Sequence, residues 1–331
     1  MLCIIHQNTL ICNIFFKNYL YFYNKKSVII AVIQYIRGDF SMKRVGIVTD
    51  SHSGISQQEA QKLGIKVLPM PFYFDDVCYY EDLDLTREMF FEKLVSGAKV
   101  TTSQPTLESV KELWDSALEE FEQILYIPIS SGLSGSCMTA GAMAADEPYE
   151  GRVFVVDNGR VSTPLHSTIL DALELVEKGY SAQEIKDKLE AYREQMVIYV
   201  GVDTLEFLKR GGRVKPTVAA IGNILNIKPV LKFDVGTLDM HQKCRGRVKM
   251  RKAMIEAMRQ ELDTRFKTAY EQGKLHIVAA SSSSKEDTES WLEEIREAFP
   301  GMDILCDDLS LGLCCHIGPN GLGIGCLTKV E

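Results

Sequence analysis

The sequence predicts an α/β fold with a mostly parallel sheet, followed by a second region of α+β type. In the first half of the 331 residues, short runs rich in Ile and Val alternate with amphipathic segments that often end at Gly. In the second half, hairpin patterns occur together with helical patterns. We place the boundary near Ser162, which gives an N-terminal α/β domain at 42–162 and a C-terminal α+β domain at 163–331.

In the first half, each predicted helix follows a strand or a polar turn. Gly64 is a predicted C-cap, Asp84 or Thr86 caps the helix after it, and Ser134 stands at an N-cap position where its hydroxyl can accept from first-turn amides. The predicted strands are 45–49, 65–69, 124–129 and 152–156, with an edge strand at 72–74 and an acidic hairpin at 75–82. The predicted helices are 57–63, 87–95, 107–121 and 136–145.

In the second half, strands and helices no longer alternate strictly. Ser181 and Glu184 form a predicted capping box, and Asp203 or Thr204 is expected to cap the short helix that follows. The predicted helices are 163–178, 181–195, 205–210, 216–225, 248–266 and 284–299. The predicted strands are 196–202, 227–233, 237–241, 275–280 and 303–307, and 316–323 is predicted as a loop.

The first 41 residues differ in composition from the rest. They are rich in Ile, Phe, Tyr and Asn, and Asp39 is their one acidic residue. Lys and Asn interrupt every apolar stretch, so none reaches the roughly 18 residues of a spanning helix. A regular strand pattern starts just after Met42. We expect 1–41 to be a non-native or disordered leader from a mis-assigned start codon; a membrane-associating leader is the alternative.

Composition excludes several classes of function. The formal net charge is −8 and no long basic run occurs, so we expect no nucleic-acid partner. The nine cysteines form no pair of Cys-x-x-Cys motifs, which predicts free thiols in a reducing cytoplasm and no structural zinc. No His-Glu-x-x-His pattern is present. We expect neither a metal nor a cofactor.

Two turns rich in hydroxyl groups are the strongest candidate site. The turn at 130–135 follows a buried strand and precedes a helix. A second turn, at 101–106, precedes the helix predicted at 107–121. Outward amides, the helix dipole and the hydroxyls of Ser130, Ser131 and Ser134 favour an anion such as phosphate or carboxylate. Two such turns can face each other at the carboxyl ends of parallel strands. The alternative is that each turn only caps its helix.

Three cationic side chains could complete such a site. Arg213 follows Gly211-Gly212, which could hold its backbone at a fixed place so that its guanidinium binds an anion. The alternative is that the glycines only end a helix and Arg213 is solvated. Arg245 lies in a basic cluster that is otherwise expected to be solvated, and His316 lies in a Gly- and Pro-rich segment. No Gly-x-Ser-x-Gly elbow, P-loop or dinucleotide-binding motif is present. We therefore expect anion binding and no catalytic residue.

The chain from about Lys43 to Lys329 resembles the DegV family, the fatty-acid-binding subunits of bacterial fatty acid kinase. The resemblance rests on six motifs in order: Val48-Thr49-Asp50-Ser51, Thr102-Ser103-Gln104-Pro105, Ile129 to Gly135, Asp203-Thr204-Leu205 through Gly211-Gly212-Arg213, Leu225-Asn226-Ile227-Lys228-Pro229, and His316-Ile317-Gly318-Pro319. The sequence departs from the family at His52-Ser53, where small residues are usual, and at Asn320, where glycine is usual.

The resemblance implies two domains with an apolar tunnel between them that holds one fatty acid. Thr102 and Ser134 would bind its carboxylate, and Ser103, Ser131, Arg213, Arg245 and His316 would support the site where a partner kinase acts. The protein would be a lipid-binding subunit of phospholipid metabolism, not an enzyme. Its implied partners are a long-chain fatty acid and the kinase's ATP-binding subunit, with room for an acyltransferase and for transient membrane contact.

The alternative function comes from folds related to this one in dihydroxyacetone kinase subunits. There a histidine anchors a small carbonyl substrate, and His316 would be the residue to do so in this chain. A general lipid store without a kinase partner is a third interpretation, which shares the pocket but leaves the Arg and His residues without a role.

Overall fold

The computed structural model describes residues 43–81, 83–220 and 226–331. These residues all belong to the unit Lys43–Glu331. The predicted leader at 1–41 lies outside the described residues, and so does the end of the helix predicted at 216–225. The division at Ser162 into two domains stays a prediction.

The strands of the described residues follow the predicted pattern except for those at 100–102 and 322–328, which were not predicted. In chain order they are β1 (Lys43–Asp50), β2 (Lys66–Leu68), β3 (Pro71–Phe74), β4 (Val77–Tyr80), β5 (Val100–Thr102), β6 (Phe121–Ile127), β7 (Val153–Val155), β8 (Met196–Gly201), β9 (Ile227–Phe233), β10 (Asp239–Arg245), β11 (Leu275–Ser281), β12 (Ile304–Asp308) and β13 (Leu322–Thr328).

The helices of the described residues begin and end mostly at the predicted caps. In chain order they are α1 (Gln57–Leu63), α2 (Arg87–Val95), α3 (Leu107–Leu118), α4 (Ser136–Ala144), α5 (Thr163–Glu177), α6 (Ala182–Ala191), α7 (Glu206–Gly211), α8 (Pro216–Ala219), α9 (Arg247–Asp263), α10 (Lys267–Glu271), α11 (Lys285–Ala298) and α12 (Leu311–Ile317). A short 3-10 helix, Ser51–Ser53, follows β1.

The first sheet is parallel throughout, with strand order β2-β1-β6-β7. Its strands carry apolar side chains on both faces, as expected for strands covered by helices on both sides. One face packs on α5 and α6 through residues such as Leu125 and Ile169. The other packs on α3 and α4, where Trp114 contacts the rings of Tyr126 and Tyr149. The predicted parallel α/β layer is confirmed.

A separate three-stranded antiparallel sheet has the order β4-β3-β5. The predicted edge position of 72–74 is wrong, because β3 is the central strand of this sheet. The expectation that Thr102 follows a parallel strand is also wrong: β5 pairs antiparallel with β3, with Thr102 opposite Phe72. Phe72 of β3 packs edge to face on Phe74 and on Phe90 of α2, and the rings of Phe74 and Phe90 are tilted against each other.

The third sheet has six strands in the order β10-β9-β8-β13-β11-β12, antiparallel except for the last pair. One face packs on α9 and α11, with Met254, Trp291 and Ile295 in the core between them. The opposite face packs on the three-stranded sheet and on α2, α7 and α12. Helices and a mostly antiparallel sheet occur together here, so the predicted α+β character is confirmed.

Three local predictions need correction. Ser134 is not the N-cap of α4: Gly135 is, without a side-chain bond, and the Ser134 hydroxyl accepts from the Ser136 amide at 3.2 Å. Leu205 occupies the N-cap of α7, while Thr204 accepts from the Glu206 amide at 3.2 Å.

The third correction concerns the segment predicted as a loop at 316–323. Its beginning is the last turn of α12, which contains His316, and its end enters β13. Between them, Asn320 adopts a φ of 61°. Its side chain donates to Asp203 at 3.2 Å, and its carbonyl accepts from Arg247 at 3.0 Å. Asn is one of the few non-glycine residues that tolerate this conformation, so the departure from glycine costs little.

Candidate functional site

A pocket lies where the turn after β6, the end of β5 and one face of the six-stranded sheet meet. The empty space within it is about 1020 Å³, including the part open to solvent. Most of its lining is aliphatic or aromatic, and the polar side chains are few. A mostly apolar space with a small number of polar groups is the usual form of a small-molecule site.

The floor of the pocket is a groove along β13. Gly323 and Gly325 alternate along this strand, so both present their missing side chains to the same face. On the neighbouring strands, Gly325 stands opposite Ile198 and Val278, and those two side chains line the pocket. Glycines on a central strand with larger residues on both sides leave a channel parallel to the strand.

The polar end of the pocket contains Thr102 and His316. Thr102 Oγ1 and His316 Nε2 are hydrogen-bonded at 3.0 Å, although the residues are 214 positions apart in the chain. Thr102 ends β5 and His316 occupies the last turn of α12, so two separate elements bring them together. Thr102 is half-buried and lines the pocket, as does His316.

The imidazole of His316 is held neutral. Burial lowers its pKa to about 3, and the nearby charges of Arg213 and His52 act in the same direction. Its second ring nitrogen, Nδ1, is buried without a hydrogen-bond partner. A buried unpaired donor is costly, so the favoured tautomer carries its proton on Nε2, where Thr102 can accept it.

Gly211 is required for this placement of the ring. A Cβ built on Gly211 would lie 1.9 Å from His316 Nδ1, closer than any real contact. The last residue of α7 therefore allows the imidazole to pack directly against its backbone. The Gly-Gly pair serves two purposes here, because Gly212 ends the helix with a φ of 68°.

Arg213 brings a positive charge to the polar end. Its Nε donates to the carbonyl of Leu133 at 3.3 Å, and its Nη1 donates to the carbonyl of Gly211. The first bond ties the guanidinium to the turn that carries Ser134. Among the described residues, Arg213 is the one Lys, Arg, Asp or Glu that lines this pocket. A fixed cation at the end of an apolar groove favours an anionic head group.

The two predicted hydroxyl turns do meet at this site. Ser103 and Ser134 both line the pocket; Ser134 is half-buried and Ser103 is exposed. Across the opening, Thr139 donates to the side-chain oxygen of Gln104 at 3.2 Å, which joins the two turns. The Ser134 hydroxyl donates to Ser136 Oγ at 3.0 Å, so it would have to rotate to donate to a ligand.

Two predicted site residues lie outside the pocket lining. Ser131 donates to the carboxylate of Asp157 at 2.5 Å and accepts from Arg193 at 3.1 Å, in a network that ties the turn to the parallel sheet. Arg245 ends β10 at an exposed position opposite Ile227. The structure therefore gathers Thr102, Ser103, Ser134, Arg213 and His316, and leaves Ser131 and Arg245 apart.

The comparisons with known proteins agree on one family. Residues 44–329 match a family model described as an uncharacterised protein, DegV family. The chain belongs to the DegV family. It is 32% identical over 289 residues to a DegV domain-containing protein of Clostridium perfringens, which covers 86% of this chain and 97% of that protein.

Solved structures of DegV-family proteins share this fold. One, titled as fatty acid binding of a DegV family protein from Thermus thermophilus, is 30% identical, with a TM-score of 0.76 over 86% of this chain and 99% of the other. Another, titled DegV, a fatty acid binding protein from Bacillus subtilis, is 26% identical, with a TM-score of 0.74 over 87% of this chain and all of that one.

The pocket of this DegV-family chain also contains polar residues that sequence reasoning did not assign to the site. His52, Ser162 and Thr163 line its wall. The sequence offered only weak signals: His52 as a departure from the family and Ser162 as a domain boundary. Asp50, which lies in the first family motif, caps the 3-10 helix: its carboxylate accepts from the amide of His52 and also from that of Ile129, both at 2.9 Å.

No helix within the described ranges of this DegV-family chain is both long and apolar enough to cross a membrane.

Proposed function

We propose that this chain binds a long-chain fatty acid in the pocket, with the carboxylate at Thr102 and Ser134. One observation carries the proposal: a polar end with hydroxyl groups and Arg213 opens directly onto an apolar groove floored by glycines. The fatty-acid-binding relatives from Thermus thermophilus and Bacillus subtilis support it through their shared fold. A fatty acid is the ligand class whose two parts match these two surfaces.

The head group fits the donors at the polar end. When the Nε2–H of His316 donates to Thr102, the Thr102 hydroxyl proton is free to donate to a carboxylate. Ser134 supplies a second hydroxyl and Arg213 supplies the compensating charge. A carboxylate that accepts such bonds stays ionised. Burial of the tail would contribute about 0.8 kcal/mol per CH₂ group, which provides most of the affinity.

We further propose that the head end is the side presented to a partner kinase. Ser103 at this end is exposed and Thr102, Ser134 and Arg213 are half-buried, whereas the groove floor is buried. A kinase could then phosphorylate the carboxylate while the chain supplies no ATP site of its own. Arg213 would stabilise charge on the transferring phosphoryl group, and His316 would support this step by orienting the Thr102 hydroxyl. In this role the protein is a lipid carrier in phospholipid metabolism.

The rival function, a catalytic subunit that binds a small carbonyl compound through His316, receives less support from the geometry. Attack on a carbonyl carbon requires a free ring nitrogen. In this chain Nε2 is hydrogen-bonded to Thr102, and Nδ1 packs against the backbone of Gly211. The mostly apolar lining of the pocket also suits an acyl chain better than a small polar carbonyl compound.

The proposal is tested with Thr102→Ala and Ser134→Ala in a fluorescent-fatty-acid displacement titration. Each change removes a hydrogen bond to a charged group, which is worth about 1.5–3 kcal/mol, so affinity should fall by roughly tenfold to a hundredfold. Affinity for the matching fatty alcohol should change much less. Thr101→Ala is the matched control, because Thr101 is the exposed neighbour on the same strand and does not line the pocket.

Two results would count against this function. If acid and alcohol lose affinity equally in the variants, Thr102 and Ser134 shape the pocket without binding the carboxylate. If native mass spectrometry of the protein purified from bacterial cells shows no fatty acid mass, and the delipidated protein takes none up, the chain is not a fatty-acid carrier.

A further inference from the structure

Ser162 is an unusual residue in the pocket wall. Only 6% of its surface is exposed, and its hydroxyl is buried without a hydrogen-bond partner. Its φ is 57° and its ψ is −144°, a conformation that side chains other than glycine rarely adopt. A strained, buried hydroxyl with no partner costs stability twice over, and such costs concentrate at ligand sites.

Ser162 also stands at the start of α5, a helix of 15 residues. The amide of Thr163 is the first of this helix, and first-turn amides have no partner within the helix. The positive end of the helix dipole therefore faces the same wall of the pocket, where it favours an acceptor atom. The hydroxyl of Thr163 is not available, because it donates to the carbonyl of Ala279 at 2.7 Å.

His52, beside Ser162, has a second buried polar atom without a hydrogen-bond partner. The Ser162 amide donates to the carbonyl of His52 at 2.8 Å, which fixes the two residues next to each other. His52 is 8% exposed and lines the pocket, and its Nδ1 is buried without a hydrogen-bond partner. That nitrogen lies 3.5 Å from a carboxylate oxygen of Asp50, which is fully buried.

We propose that Ser162, His52 and the first amide of α5 form a second polar subsite, which binds an oxygen atom carried on the acyl chain. The inference deepens the proposed function and rests on it. The ligands it predicts are hydroxy or oxo fatty acids, whose mid-chain oxygen can both accept from the helix amide and exchange hydrogen bonds with Ser162. The head group stays at Thr102, Ser134 and Arg213.

The charges around the subsite exclude a second carboxylate. The buried carboxylate of Asp50 is adjacent to His52. Arg213, the one Lys or Arg of the described residues in the pocket lining, is bonded to the turn that carries Ser134 at the head end. A second negative charge would have no compensating cation and would face Asp50 in a poorly hydrated space. A neutral hydroxyl or keto oxygen satisfies the unpaired donors without that cost.

The test compares stearic acid with a positional series of hydroxystearic acids on the delipidated full-length chain. In the wild type, at least one isomer should bind as tightly as stearic acid or more tightly, although a hydroxyl normally weakens binding in an apolar pocket. Ser162→Gly removes the hydroxyl and suits the positive φ. It should lower affinity for that isomer about tenfold and change stearic acid affinity by less than about twofold.

Ser310→Ala is the matched control. Ser310 also has a buried hydroxyl without a hydrogen-bond partner, but it does not line this pocket, so its removal should leave the discrimination unchanged. The inference is overturned if every isomer binds more weakly than stearic acid by the same factor in wild type and Ser162→Gly. It is also overturned if Ser162→Gly weakens both ligand types equally. A wild type that fails to bind stearic acid itself would instead contradict the proposed function.

Discussion

The direction of one hydrogen bond decides what Thr102 can offer a ligand. If Thr102 donated to His316 Nε2, its only proton would be used and it could not serve a carboxylate. The unpaired Nδ1 of His316 favours the opposite direction, with the proton on Nε2. His316 is then a positioning residue, which orients the Thr102 hydroxyl and must remain neutral to fit its buried place.

The burial of His316 predicts a pH dependence of stability. Its pKa is lowered to about 3 in the folded protein, mainly by burial, against about 6.5 in an unfolded chain. Below that unfolded value, the unfolded chain takes up a proton that the native state does not. The contribution of His316 is therefore complete above about pH 6.5 and is lost as the pH falls toward 3, by up to about 1.4 kcal/mol per pH unit.

This dependence can be isolated with His316→Gln. Urea unfolding of the delipidated wild type and the variant between pH 7 and pH 5 should give a steeper loss of unfolding free energy in the wild type. All other titrating groups are common to both proteins, so the difference between the two curves reports His316 alone. Parallel curves would show that its imidazole is not held neutral in the native state.

Arg213 should act on phosphoryl transfer more than on lipid loading. A cation at the polar end can stabilise charge that develops in the transition state, whereas the tail supplies most of the binding energy. We expect Arg213→Ala to keep most of its fatty acid, measured by mass spectrometry, and to lower the rate in an ATP-coupled assay with a partner kinase by at least tenfold.

The control for this prediction is Arg210→Ala. Arg210 is a nearby cation on α7 that is paired with Glu206 at 2.8 Å and does not line the pocket. It should leave both measurements near the wild-type values. If Arg213→Ala is purified empty of lipid, its charge is essential for binding the carboxylate, and its effect is not specific to phosphoryl transfer.

At the level of elements, the two glycines of β13 that form the pocket floor should respond differently to substitution. A Cβ at Gly323 would meet Ala280 at 3.5 Å, an ordinary contact, whereas one at Gly325 would lie 2.9 Å from the carbonyl of Val197. Gly323→Val should therefore fold and obstruct the groove, lowering stearic acid affinity about tenfold or more. Gly325→Ala should instead lower the melting temperature, because backbone must shift.

Melting curves and displacement titrations on both variants separate the two effects. A Gly323→Val protein that melts near the wild-type temperature and binds stearic acid normally would show that the acyl chain does not run along β13. The same glycines explain why β13 was missed in the sequence: glycine has low strand propensity, and its value here is the space it leaves.

The elements that were predicted accurately are the ones whose signals are local. Gly64 ends α1, Thr86 caps α2, and the capping box of Ser181 and Glu184 begins α6 as expected. The elements that were misjudged depend on distant partners. The central place of β3 is set by its pairing with β5, and α12 begins at an N-cap, Ser310, that makes no side-chain bond.

The same distinction applies to the candidate site. Thr102, Ser134, Arg213 and His316 could be named because they lie in motifs of the family that the chain resembles. The position of Ser131 in the same turn gave no indication that its hydroxyl would donate to Asp157 and not to a ligand. Ser162 was named only as a domain boundary, because its positive φ and its unpaired hydroxyl are properties of the folded chain.

At the scale of the whole molecule, the pocket wall draws on all three sheets. The turn after β6 extends the parallel sheet, β5 ends the three-stranded sheet, and β8, β13 and β11 form the floor. Arg87 of α2 adds a further link, since it donates to the carbonyls of Leu309 and Ser281 at 2.7 and 3.1 Å. A ligand in this pocket contacts every layer, so filling it should stabilise the whole fold.

Removal of the fatty acid should therefore lower the melting temperature of the entire described unit. A ligand present at a hundred times its dissociation constant stabilises the native state by about 2.7 kcal/mol. For the unit Lys43–Glu331, that corresponds to a shift in melting temperature of roughly 4–5 °C. We expect delipidated protein to melt at a lower temperature by this amount, in one transition, and to recover when stearic acid is added. The double variant Thr102→Ala with Ser134→Ala should recover less at the same concentration. Two separate transitions, with only one of them responding to stearic acid, would show that the ligand is held by one part of the fold and does not join its layers.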